Sequence, residues 1–123
     1  MSDTRLVTNA GLHRASRMVG CSVHNPAGEH LGRLEDFVLD LGESHVAAAV
    51  LTLANSAGVK EQLVAVPLSA LGFDPAEDKV ILNVDRKTLK EAPSFRVDEW
   101  PELIDRVWAT DLYAHYGCPP YWQ

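Results

Sequence analysis

Five histidines, His13, His24, His30, His45 and His115, are the side chains of this sequence best suited to metal binding or proton transfer, since imidazole titrates near neutrality and is a common ligand. Their spacing favours neither use. No HxH or HxxxH pair occurs, and His24 and His30 flank a single turn, so surface or hairpin roles are expected. Ser22, His24 and Asp36 supply the residue types of a nucleophilic triad, yet no glycine pattern of a nucleophile elbow surrounds any serine. The carboxylates Glu35 and Asp36, with Asp40 beyond them, could hold a cation or a proton. A structural reading is preferred, with Asp36 anchoring a bulge and Asp40 accepting backbone N–H groups as an Asx turn at Leu41-Gly42. Asp111 and His115 stand one helical turn apart and are expected to form a satisfied acid–base pair. Cys21 and Cys118 lack any zinc-site spacing and read as free thiols. No catalytic, cofactor-binding or metal-binding residue is assigned.

Composition narrows the function classes further. The chain has 123 residues, a formal net charge of -6 and a sequence pI near 5.2. Its largest basic cluster is the pair Arg86-Lys87, far from the concentrated positive face that neutralises phosphates, so direct nucleic-acid binding is disfavoured. No stretch approaches the roughly 18 apolar residues of a spanning helix, and the polar start MSDTRLVTNAGLHRAS has no apolar signal-peptide run. A cytoplasmic protein without a membrane span is expected.

The elements that would position these residues are mostly short strands. Residues 1–12 read as a flexible lead-in. Gly20–His24 is followed by the turn Asn25-Pro26-Ala27-Gly28, in which proline presets φ and glycine tolerates a positive one. A long strand over Leu31–Leu41 contains Gly32, assigned with Gly28 to turn or bulge geometry, and Gly42-Glu43-Ser44 turns the chain into His45–Ala54. That strand is apolar on both alternating sets, with Val46, Ala48 and Val50 on one face, so both faces need cover. After the polar loop Asn55–Glu61 come Gln62–Pro67, an irregular Ser69–Phe73 and a last strand Lys79–Val84. Five or six short strands with tight turns argue for a small barrel. Asp85 caps a short helix over Arg86–Glu91. Pro101 opens an amphipathic helix to about Tyr116, ended by Gly117, whose apolar side includes Leu103, Ile104, Val107, Trp108 and Leu112, with Arg106 and Thr110 on the opposite side. The end, Gly117-Cys118-Pro119-Pro120-Tyr121-Trp122-Gln123, is extended and aromatic, and must lie on a surface.

The run Ala15–Phe95 resembles the PRC-barrel family. The matching stretches are Met18-Val19-Gly20, Asn25–Gly28 with Leu31-Gly32, Leu34-Glu35-Asp36-Phe37-Val38-Leu39-Asp40, the apolar strand after His45, Leu63–Pro67, Phe73-Asp74-Pro75, and Leu89–Pro93. Trp100-Pro101, Tyr116-Gly117 and Pro120-Tyr121-Trp122 resemble the extension of stand-alone bacterial members. The resemblance implies a mainly β fold, a small, strongly bent antiparallel barrel over residues 13–95, with a C-terminal helix and tail over 96–123. It also implies a docking module without catalytic residues.

The function expected is protein–protein docking or assembly, with homo-oligomers and a partner the sequence does not name. The expected interface is Val46, Ala48, Val50, Trp108, Leu112, Tyr116, Tyr121 and Trp122. Two alternatives stand beside it: a small-molecule or metal-ion-binding regulator using the carboxylate block, and a ribosome-associated factor, by analogy with a maturation factor of the family.

Overall fold

Asn25 builds the first turn. Its side chain accepts the Glu29 N–H at 2.9 Å and donates to the Glu29 carboxylate at 2.7 Å, and its carbonyl accepts the Gly28 N–H at 2.9 Å. Gly28 closes the turn at φ +89°, a left-handed conformation that a side chain would strain. β1 (Ser22–His24) is thereby folded antiparallel onto β2 (His30–Asp40). The computed structural model describes residues 11–53 and 62–123. Most of the expected lead-in, Ala54 and the loop Asn55–Glu61 lie outside the described residues.

Among the described residues, β3 (His45–Leu53), β4 (Gln62–Val66), β5 (Leu71–Asp74), β6 (Lys79–Leu82) and β7 (Ser94–Arg96) complete one seven-stranded sheet in the order β5-β6-β1-β2-β3-β4-β7. The fold is mainly β with a C-terminal helix, as the sequence and its resemblance imply. Details differ from the expectation of five or six antiparallel strands. The sheet is not closed, because three-residue β7 bonds only to β4 and ends there, leaving β5 and β7 as edges. β1 lies parallel to β6, since the β5–β6 hairpin returns to the sheet beside β1.

Bending comes from irregular register. Val23 pairs with Gly32 and His24 with His30, which leaves Leu31 as an extra residue beside Gly32. Between β2 and β3, Glu35 is skipped from Leu34↔Leu51 to Asp36↔Val50, and Ala47 is skipped from Val38↔Ala48 to Leu39↔Val46. Such bulges sharpen local twist and re-aim side chains. The one at Ala47 breaks the expected alternation of β3. Val46 turns toward Leu71 and Phe73, whereas Ala48 and Val50 face the other side of the sheet.

Two cores result. Val23, Leu34, Ala49, Leu51, Val64, Val66, Phe73 and Val80 fill the inner one, with Leu89 of α2 (Arg86–Glu91) closing it. The Asp85 carboxylate caps α2 by accepting the Thr88 N–H at 2.7 Å. Ala48, Val50, Leu63 and Ala65 form the outer core beneath α3 (Arg106–Tyr116). A single helical turn, α1 (Ala15–Met18), leads into β1.

The tail helix starts five residues later than its sequence suggests. Pro101 suits a first turn sterically but offers no side-chain acceptor, while the Asp105 carboxylate accepts the Trp108 N–H at 3.1 Å and satisfies an end-of-helix donor. Leu103 and Val107 consequently stand 72% and 69% exposed, and the buried face is Ala109, Leu112 and Tyr113. Gly117 ends α3 at φ +67°, and the Cys118 N–H returns to the Tyr113 carbonyl at 3.0 Å.

Tyr116 bridges the two cores, and its hydroxyl is buried without a hydrogen-bond partner among the described residues. Burial also pushes its phenol pKa well above the ordinary value of 10. An unsatisfied buried hydroxyl costs about 1–3 kcal/mol. Tyr116→Phe should therefore leave thermal stability unchanged or raise it by up to about 1 kcal/mol; a clear fall in a melting scan would refute the assignment.

Candidate interaction surface

The bulge at Ala47 leaves a carbonyl turned out of the strand ladder, and the buried Tyr113 hydroxyl donates to it at 2.7 Å. One hydrogen bond thus ties α3 to the irregular end of β3. Burial, and then the neighbouring Tyr121, pushes the Tyr113 phenol up to about 12, so it remains a donor throughout the neutral range.

Asp40, the last residue of β2, is the centre of a second set of contacts. Its Oδ2 accepts the Tyr121 hydroxyl at 2.5 Å and Arg106 Nη2 at 2.9 Å, and its Oδ1 accepts the Glu43 N–H at 3.1 Å. The Tyr121 hydrogen bond first, and the Arg106 hydrogen bond second, hold the Asp40 carboxyl down at about 2. Burial, then the Asp40 carboxylate, raises the Tyr121 phenol, so its proton stays in place. Rings complete the arrangement. His45 stacks on Tyr121 with centroids 4.0 Å apart, Arg106 lies 4.5 Å over Trp122, and Tyr113 meets Trp122 edge-on at 5.1 Å. Hairpin, helix and C-terminus are thereby latched at one point.

The expected interface residues are divided by this arrangement. Ala48, Val50 and Leu112 are buried under the chain's own helix, and Trp108, Tyr116, Tyr121 and Trp122 are half-buried against the same outer core. Val46 lines a cleft on the opposite side. The second apolar face of β3 is therefore covered within the chain, by α3 and the aromatic tail together.

The polar candidates are held apart. Glu35 accepts the Thr52 hydroxyl at 2.9 Å, and Asp36 accepts its neighbour Phe37's N–H at 2.7 Å, beside the Glu35 bulge. No hydrogen bond joins Ser22, His24 and Asp36. His24 and His30 face each other across β1 and β2 with centroids 5.1 Å apart, and burial lowers the His24 pKa, ahead of the Lys79 and His30 charges. Asp111 is exposed, and His115 meets the Thr88 carbonyl at 3.1 Å instead. Reading the sequence missed Arg106, placed on the solvent side of its helix, and Asp105. The spacing of Asp105 before a helical run was the one available signal for the latter.

Three clefts of about 260, 160 and 310 Å³ meet at Leu39, which lines all of them. Phe37, Val46, Leu71 and Phe73 line the first; Leu41 joins the other two, and Ile104 the second. Leu39 is 62% and Leu41 84% exposed. Apolar side chains so placed around concave surface mark a contact region more often than an isolated exposed leucine does.

No helix among the described residues is long and apolar enough to cross a membrane. The family model of the PRC-barrel domain matches residues 10–89. No curated protein matches the chain.

Proposed function

The chain belongs to the PRC-barrel family, and from that premise we propose that it is a non-enzymatic docking or assembly module that self-associates. The observation that carries this reading is the convergence of three clefts on the exposed pair Leu39 and Leu41. Burying two leucines between molecules contributes about 1.5–3 kcal/mol each, while leaving them in water gains the monomer nothing. The carboxylates favour a structural role, because Glu35, Asp36 and Asp40 are each engaged by a different partner inside the fold.

Leu39→Lys with Leu41→Lys tests the reading. Both positions are exposed, so folding stability should change by less than about 0.5 kcal/mol. Light scattering at tens of micromolar should show the wild type above monomer mass and the double variant at monomer mass. Equal masses for the two proteins would overturn the proposal.

A further inference from the structure

The C-terminal segment is held as a ligand would be. Residues 119–123 make no backbone hydrogen bond to the rest of the described residues, and Tyr121 and Trp122 are gripped by side chains of three separate elements. Asp40 comes from β2, His45 from β3, and Arg106 and Tyr113 from α3. Pro119 and Pro120 stiffen the approach, so the aromatic pair arrives with little chain entropy left to lose. Gly117, in its left-handed conformation, sets the direction in which the segment leaves the helix. A different rotation there would send the same residues away from their own chain.

We propose that the latch is a binding seat for a Pro-Pro-Tyr-Trp segment, filled in cis by the chain's own end, and that a second copy of the chain fills it in trans. This rests on the docking function proposed above and names its partner and mode. A second copy is the occupant because it carries the same segment that the seat already grips. Exchange of an identical element also recreates every contact of the closed form, at little cost beyond association itself. The second argument is position. Leu39, Leu41 and Ile104, all exposed, line the cleft that Tyr121 borders, so two chains trading segments bring these side chains together and remove them from water. The closed monomer leaves them uncovered.

Two full-length variants test the exchange. Tyr121→Ala/Trp122→Ala keeps the seat and loses the ligand; Asp40→Ala keeps the ligand and loses the seat. Each alone should sediment as a monomer, and an equimolar mixture should give a species of twice that mass. A synthetic Gly117–Gln123 peptide should dissolve that species and should bind the Tyr121→Ala/Trp122→Ala protein but not the Asp40→Ala protein. If Asp40→Ala fails to fold by circular dichroism, Arg106→Ala replaces it as the donor. A mixture that stays monomeric while the wild type self-associates overturns the exchange and leaves the docking function standing. Monomers throughout, the wild type included, overturn both the exchange and self-association.

Discussion

Deleting Gly117–Gln123 lowers folding stability by about 2–4 kcal/mol, the sum expected from two half-buried aromatic side chains and their ring contacts. For a chain of this size that is a fall in melting temperature of roughly 10 °C. The sheet itself should survive, because every strand ends by Arg96 and the inner core contains none of the deleted residues. What is lost is the cover over Tyr113 and the Tyr121 hydroxyl that donates to Asp40, while Arg106 stays in place. The effect carries a pH signature. Asp40 titrates at about 2 in the folded chain against an ordinary 3.8, so the unfolded state binds more protons between those values. Its contribution is complete above about pH 4 and disappears as pH falls toward 2. The difference in melting temperature between full-length and truncated proteins should be flat from pH 5 to 8 and narrow below pH 4. A difference that vanishes already near neutrality would show that the latch is not held by this carboxylate.

Local chemistry was legible where it is decided locally. The Asn25–Gly28 turn, the capped helix at Asp85 and the αL glycine at Gly117 all follow from side chains acting within four residues. The double apolar face of β3 was legible too, since the apolar run Val46–Leu51 fills both alternating sets and requires cover on both sides. Which residues occupy each face was not, because a bulge has no sequence signature of its own and one skipped residue inverts the alternation. The skip at Ala47 moved Val46 away from Ala48 and Val50. The latch was invisible for a different reason. Asp40 and Tyr121 are 81 residues apart, and nothing in the neighbourhood of either distinguishes a turn aspartate from one that also grips the C-terminus. Arg106 reads as solvent-facing on its own helix, and its side chain is indeed exposed, but it is long enough for its guanidinium to reach Asp40 and Trp122 as well.

Leu51→Ala costs about 2–5 kcal/mol, a large part of the 5–15 kcal/mol typical of a whole domain. Leu51 is wholly buried in the inner core on β3, where a cavity cannot collapse without moving strands bonded on both sides. The two layers share their central strands. Ala49 and Leu51 of β3 and Val64 and Val66 of β4 face inward, while Ala48, Val50, Leu63 and Ala65 of the same strands face α3. Loss of the inner core must therefore release the outer one, and unfolding should be a single transition. The tryptophans make this measurable, because Trp100, Trp108 and Trp122 all follow the last strand. Their fluorescence reports the outer layer, and far-ultraviolet circular dichroism reports chiefly the sheet. In Leu51→Ala both signals should shift to the same lower denaturant midpoint with an unchanged slope. A fluorescence midpoint that stays at the wild-type value while the circular dichroism midpoint falls would mean that helix and tail fold without the sheet beneath them, contrary to the Tyr113–Ala47 bond and the shared strands.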